Sequence, residues 1–263
     1  MLYAVSRINR GIGAGNRNPC VYASTRSEIM QEINRIGPEI YRDVSDFGAD
    51  VIWNTKASSL NQPILKIVES KIHSSETEFG EPPTKDIWDT YIPARILDRS
   101  AKQYLLDISM HRPRGLVRRL TLARDFAPSG TKLTSDAFKE SASRFSSDAW
   151  REVEEDLLAT YDPRQVSAIK TVLSGFKVKF TVTELKKRIQ TISDISTDVK
   201  LSSTALADIS RLLGTLYRVG AIGNQYNIAG KPRNGWVFRD EPDPLPDKPF
   251  VVHESLRRAL RLE

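Results

Sequence analysis

The chain has 263 residues, 40% of them hydrophobic and 27% charged, which is typical of a globular protein with two or three small domains. No apolar run approaches the roughly 20 residues that span a bilayer. Residues 1–9 lack a basic-then-apolar signal pattern. We therefore expect a cytoplasmic protein that does not enter a membrane. The single cysteine, Cys20, excludes an internal disulfide and a cysteine-based zinc site, and the three histidines lack metal-ligand spacing, so no cofactor is predicted.

The formal charge of the chain is +6 and its pI is about 9.4. This excess permits an acidic partner, of which nucleic acid is the commonest. Double-stranded DNA is accordingly one partner to consider.

Strands alternate with helices at the start of the sequence. A helical pattern over residues 1–15 precedes a β-prone run at 19–24, and a second β-prone run at 49–53 precedes a helical pattern at 60–72. This alternation is typical of an α/β sheet domain. We assign residues 1–80 to part of such a domain, since the segment is too short for a whole one.

The next stretch, residues 73–85, is polar and contains Gly80 and a pair of prolines, which predicts a loop or linker. Beyond it the pattern is helical, and Pro113 stands where a proline opens a helix. Residues 86–145 are therefore predicted to be a helical segment. The expected helices cover 97–108, 113–123, 135–143 and 149–161.

The remaining residues, 146–263, predict a helix at 166–173, followed by a pair of helices and a hairpin. Thr181 is placed to cap the first helix of the pair, and Gly220 to end the second. In the second helix one buried face is expected from Leu206, Ile209, Leu213 and Leu216. Two β-prone runs follow, joined by a basic tip at residues 230–234, and a last helix at 254–262 is expected to be capped by His253.

Two helices followed by a hairpin with a basic tip is the order of a winged helix-turn-helix. Residues 146–263 are thus predicted to be a winged-helix domain. The predicted fold class of the whole chain is α+β, mainly α.

Four segments resemble, in order, parts of a family of bacterial P-loop ATPases of the AAA/STAND type. Residues 21–29 look like the sensor strand and its arginine, and residues 50–53 like the next core strand. Residues 111–117 are similar to the arginine-bearing start of a lid helix, and residues 216–223 to the end of the third helix of a winged helix. The resemblance implies a partial ATPase core, a helical lid and a winged helix, in a family that often serves in defence or signalling.

The sequence departs from this family in its phosphate-binding motif. A P-loop needs the pattern G-x-x-x-x-G-K-[S/T], because backbone amides and the lysine together hold the phosphates. The glycine-rich run 11–15 is followed by Asn16 and Arg17 instead, and no apolar strand ends in paired acids. We therefore expect a non-enzymatic chain that is a fragment, one partner of a split protein, or a degenerate descendant.

Three arginines are candidates for sensing a nucleotide held by a partner ATPase subunit. The resemblance implies this role for Arg26, Arg112 and Arg114, whose guanidinium groups match phosphate geometry. The alternative for Arg26 is a structural ion pair. For Arg112 and Arg114 it is a basic surface ridge shared with Arg118, Arg119 and Arg124.

Candidate nucleic-acid contacts lie in the predicted winged helix. Arg211, Thr215 and Arg218 are expected to project from the face opposite the buried leucines, where they would enter a major groove. Lys231 and Arg233 at the wing tip would meet phosphates or a minor groove. The alternative is a protein-interaction module that docks on a partner ATPase, an effector subunit or a second copy. No catalytic residue is assigned in either case.

Overall fold

The computed structural model describes residues 23–25, 46, 48–49, 53, 62–127, 132–202, 206–228, 230–239 and 241–262. The chain divides into two units, Met1–Ile52 and Trp53–Glu263, and every element below belongs to the second unit. Almost all of the strands and helices predicted before residue 62, and Arg26 with them, lie outside the described residues.

The first part of this unit is helical, with one short antiparallel ribbon. Its elements are α1 (Leu65–Glu78), α2 (Ile87–Tyr91), β1 (Arg95–Ile96), β2 (Arg99–Ser100), α3 (Ala101–Ile108), α4 (Pro113–Phe126), α5 (Ser135–Glu140) and α6 (Ala142–Leu157). Helix α1 extends through half of the predicted linker.

These helices pack around one hydrophobic core, to which α1 contributes Leu65 and Val68. Arg119 of α4 is 1% exposed at the centre of this core. Its guanidinium donates hydrogen bonds to the Tyr104 hydroxyl, the Ser141 hydroxyl and the Phe138 carbonyl. The prediction that Arg119 belongs to a surface ridge is therefore wrong.

The second part combines helices with a four-stranded sheet. Its elements are α7 (Pro163–Leu173), β3 (Lys179–Phe180), α8 (Val182–Ser193), α9 (Thr197–Leu201), α10 (Ile209–Arg218), β4 (Ile222–Ile228), β5 (Lys231–Gly235), a 3₁₀ turn (Val237–Arg239), β6 (Phe250–Val252) and a second 3₁₀ turn (Glu254–Leu256). The strand order is β3-β6-β4-β5, and each neighbouring pair is antiparallel. A mainly helical α+β fold is confirmed.

Helix α6 belongs to both hydrophobic cores. Its Phe145 packs in the first core, whereas its Trp150, Val153 and Leu157 pack in the second. Met110, in the turn between α3 and α4, also packs in the second core. The two parts therefore share a continuous helix, and the predicted boundary between residues 145 and 146 falls inside it.

Local signals in the sequence correctly place several helix ends. Pro113 opens α4, and Thr181 forms a capping box with Glu184 at the start of α8. Gly220 has a φ of +75° just after α10, a conformation that suits glycine at a helix end. His253 caps the last helical segment as predicted, but that segment is a short 3₁₀ turn instead of a helix to residue 262.

Among the residues that the structure describes, none of the helices combines the length and the apolar character needed to cross a membrane.

Candidate nucleic-acid interface

Helix α10 and the turn before it have one buried side and one open side. The predicted apolar face is confirmed, since Leu206, Ile209, Leu213 and Leu216 are each 8% exposed or less. At 100° per residue, the residues of the open side fall within roughly one third of the helix circumference. They are Ser210, Arg211, Gly214 and Arg218.

The three predicted groove-reading residues occupy different environments on this helix. Thr215 is 2% exposed, and its hydroxyl donates to the Arg211 carbonyl at 2.9 Å, so the prediction that it projects from the surface is wrong. Arg211 is exposed, and its guanidinium lies 5.7 Å from the centre of the Tyr161 ring. Arg218 is half-buried and donates to the Thr215 hydroxyl at 3.3 Å.

Lys231 and Arg233 lie in strand β5 rather than in a loop. Ile228 is paired with Lys231, and Tyr226 with Arg233, so the hairpin closes in a tight turn just before Lys231. Gly230 has a φ of +77°, as such a tight turn requires. Both cationic side chains are exposed near the end of the hairpin.

A carboxylate from outside the hairpin binds this basic strand. Glu241 accepts a hydrogen bond from the Tyr226 hydroxyl at 2.6 Å and pairs with the Arg233 guanidinium at 3.1 Å. The bond to Glu241 raises the pKa of Tyr226. Gly235 leaves room for the carboxylate, because a Cβ there would overlap a Glu241 oxygen.

The segment that carries Glu241, residues 241–249, is fixed along strand β4; we call it the strap. Asn224 of β4 is 1% exposed, and its side chain pairs with Leu245 as another strand would. The amide donates to the Leu245 carbonyl at 3.0 Å, and the Leu245 N–H donates to the Asn224 oxygen at 2.7 Å. The strap is thus held at its middle as well as through Glu241.

The predicted nucleotide-sensing arginines lie at the start of α4. Arg112 pairs with Asp156 of α6 at 3.1 Å, and its hydrogen bond to the Val219 carbonyl, at 2.8 Å, joins the two parts of the unit. Arg114 is exposed. Burial raises the pKa of Glu152, and Arg112 and Arg114 act in the opposite direction. The sensing role of both arginines stays a prediction.

Positive charge is concentrated in the second part of the chain. Residues 163–263 contain 17 Lys and Arg against 10 Asp and Glu, whereas residues 1–162 contain 22 against 23. The excess therefore lies within the part that carries α10 and the hairpin.

Sequence reasoning missed Tyr226, Asn224 and Glu241. A signal for Glu241 was present, since the acidic strap begins soon after the basic strand, and opposite charges close in sequence often pair. Asn224 gave no such signal, because its role depends on the backbone of the strap folding back beside it, which the neighbouring sequence does not indicate.

The comparisons with known proteins concern the first part of the unit. Residues 62–154, less than half of the chain, match the family model described as the FunZ-associated C-terminal helical domain. The described elements of this range are helices apart from the ribbon of β1 and β2. Searches of curated proteins and of solved structures found no match.

Proposed function

We propose that residues 163–262 form a winged-helix module that binds duplex DNA. In this module α8 and α10 are the two helices of the helix-turn-helix, and the hairpin of β4 and β5 is the wing. The chain as a whole acts as a non-catalytic binding and regulatory part of a P-loop ATPase-like system, in which residues 62–154 are a helical module.

The charge distribution is the observation that carries this proposal. Residues 163–263 have seven more basic than acidic side chains (17 against 10), while the remainder is nearly balanced. DNA binding depends largely on such cations, because each phosphate they neutralise releases condensed counterions. A surface with a purely structural role does not require the excess of positive charge to lie in residues 163–263.

The shape of the module supports the same function. Ser210 and Gly214 add almost no bulk to the open side of α10, so that this helix can lie deep in a major groove. Arg211 and Arg218 stand along one edge of that side. Lys231 and Arg233 would meet phosphates beside the groove. Thr215 has no part in the proposal, since it is buried.

We expect duplex affinity to fall steeply with salt. Charge reversal of Lys231 and Arg233 together should weaken binding to every sequence and flatten the salt dependence by roughly one unit for each phosphate that is no longer neutralised. Arg211→Ala should instead reduce discrimination between sequences, by about 1 to 3 kcal/mol if the side chain contacts a guanine edge. Fluorescence anisotropy of a labelled duplex at several salt concentrations measures both effects.

A matched control is available in the helical module. Lys139 and Arg144 are also exposed, so their joint reversal changes the net charge equally at a distance from the wing. This control should leave the salt slope unchanged. The proposal is wrong if the wild-type chain fails to bind any duplex at about 50 mM salt, or if both double reversals weaken binding equally.

A protein-docking function is the second candidate, and exposed apolar side chains favour it. Ile195, just before α9, is 79% exposed, and Leu201, the last residue of α9, is 62% exposed. Contiguous exposed apolar patches mark protein-contact surfaces, and these two side chains are the candidates for such a patch near α9. The partner in this case would be an ATPase or effector subunit, whose nucleotide Arg114 could reach, in a defence system of bacteria. Absence of duplex binding in the experiment above would favour this candidate.

A further inference from the structure

The wing holds a small anion-binding arrangement that the chain itself occupies. The Tyr226 hydroxyl and the Arg233 guanidinium converge on the Glu241 carboxylate, with distances of 2.6 and 3.1 Å. A hydroxyl donor beside a guanidinium is equally suited to a phosphate, which offers the same pair of oxygens. The ligand chemistry of this pair is therefore that of an oxyanion.

The arrangement is built by the backbone around it. Gly235 supplies the space that the carboxylate fills, and the pairing of Asn224 with Leu245 fixes the strap along strand β4. The strap carries two further acids, Asp243 and Asp247. The Arg233 side chain remains 54% exposed and that of Glu241 22% exposed, so a competing anion can reach the pair from solvent.

We propose that Glu241 is an intramolecular competitor of the DNA backbone, and that a phosphodiester displaces it from Tyr226 and Arg233 when the wing engages a duplex. This inference rests on the proposed function for the identity of the anion. In this arrangement Tyr226 contacts a phosphate of the bound duplex, and the strap lowers the affinity of the wing for DNA.

The restraint should be modest, because the ion pair is partly exposed to water. Glu241→Gln keeps the shape of the side chain and removes its charge, so the duplex should bind about two- to fivefold more tightly. Asp243→Asn is the matched control, since it removes the same charge from the same strap. It should change the affinity less than about twofold.

A second variant displaces the carboxylate without changing any charge. In Gly235→Ala the new Cβ would take the space of a Glu241 oxygen but would also lie 3.0 Å from the Tyr226 ring, so this variant should bind duplex more tightly than the wild-type chain and less tightly than Glu241→Gln. Adding Arg233→Ala to Glu241→Gln should abolish the gain. Equal affinities for Glu241→Gln and Asp243→Asn, both measured by anisotropy, would overturn the inference while leaving DNA binding intact.

Inorganic phosphate tests the anion site independently of DNA. With isotope-labelled tyrosine, the NMR signal of Tyr226 (assigned by Tyr226→Phe) should respond to phosphate at lower concentration in Glu241→Gln than in the wild-type chain. If no variant binds duplex, the proposed function fails and DNA is not the competing anion, and this titration still decides whether Glu241 occupies an oxyanion site. A Tyr226 signal that phosphate leaves unchanged in Glu241→Gln would overturn it.

Discussion

Two histidines are buried among aromatic rings where the two parts of the unit meet. His111 stacks on Phe238 with ring centres 5.4 Å apart, and its Nδ1 makes no hydrogen bond within the described residues. His253 packs edge-on against Trp236 at 4.8 Å. Burial, and to a lesser extent Arg239, lowers the pKa of His111 from 6.5 to about 4. Burial with nearby arginines lowers the pKa of His253 to about 3.

We expect the free energy of unfolding to decrease between pH 6.5 and 5. Both histidines have a lower pKa in the folded chain, so their contribution is complete above 6.5 and is lost as the pH falls toward the folded pKa values. Between pH 6.5 and pH 5 each histidine should lower the free energy of unfolding by about 2 kcal/mol, because a proton bound only in the unfolded state changes it by about 1.36 kcal/mol per pH unit. Urea unfolding at a series of pH values measures the loss.

The variant His111→Phe isolates one of the two groups. It keeps the stacking on Phe238 and removes the titrating nitrogen, so about half of the loss should disappear. Glu76 and Glu184, with pKa values lowered to about 2 chiefly by hydrogen bonds from Thr84 and from Lys177, lose their contribution only below pH 4.5. An unchanged slope above pH 5 in His111→Phe would contradict the assignment.

Sequence predicts single residues well when their role is local. The capping role of His253 follows from its place just before a helical segment, and the structure confirms it. Arg119 is the opposite case, because it is surrounded by Tyr104, Phe138 and Phe145, which come from three other helices. Nothing in the neighbouring sequence separates it from Arg118, which lies on the surface and pairs with Asp148.

At the scale of elements, two glycines at helix α10 differ in how far the fold requires them. Gly214, inside the helix, can be replaced by another residue, whereas Gly220, just after the helix, cannot be replaced without strain. Gly214 lacks a positive φ, and a Cβ there would meet no atom within 4 Å. Gly220 has a φ of +75°, and its Cβ would contact Met110 and Phe238. A side chain is therefore tolerated at the first position and strained at the second.

Gly214→Ala should stabilise the chain by about 0.5 to 1 kcal/mol, since alanine loses less backbone entropy in a helix. Gly220→Ala should destabilise it by about 1 to 2 kcal/mol, since L residues disfavour this conformation. Urea unfolding of the two variants checks both signs. If Gly214→Ala proved destabilising, the open side of α10 would have to be covered in the free chain.

Element boundaries were predictable where a capping signal exists, as at Pro113 and Thr181. The end of α1 was not, because residues 73–78 are polar and the segment ends in glycine and prolines. The helix continues to Glu78, and Glu76 is 4% exposed there. Its carboxylate accepts hydrogen bonds from the Thr84 N–H at 3.1 Å and the Tyr91 hydroxyl at 2.8 Å. That long-range anchoring cannot be predicted from helix periodicity.

At the scale of the whole unit, an ionic network joins its two parts. Asp107 of α3 pairs with Arg239 and with Arg99, at 3.5 Å for the latter. Arg99 in turn pairs with Glu254 at 2.6 Å. The charges are only partly exposed, so removing one of them leaves the others poorly solvated.

Asp107→Ala should lower the free energy of unfolding by about 1 to 3 kcal/mol, because Arg239 loses this carboxylate. Asp148→Ala is the matched control, since Asp148 pairs with Arg118 and Arg151 within the first part alone. It should cost less than about 1 kcal/mol. Unfolding followed by tryptophan fluorescence and by circular dichroism should give one coincident transition; separate transitions would contradict a network that couples the two parts.

The candidate site was predictable in part. The basic residues of the hairpin are evident from the sequence, as is the amphipathic helix before it. Their partners are not, since the pairing of Arg233 with Glu241 depends on the strap folding back along β4. The burial of Thr215 was hidden for a related reason, because the Tyr161 side chain, distant in the sequence, lies against it.

The helix shared between the two cores has a consequence for protein engineering. Consider a hybrid protein in which the residues after the family match, from 155 onward, are exchanged for those of another protein. A junction at residue 154 is unsuitable, because it would replace Leu157 of the second core and keep Trp150, which packs in the same core. The connection between α6 and α7, residues 158–162, is where a new partner could be grafted. Even there the graft must supply a surface for Trp150, Val153 and Leu157, which would otherwise face water.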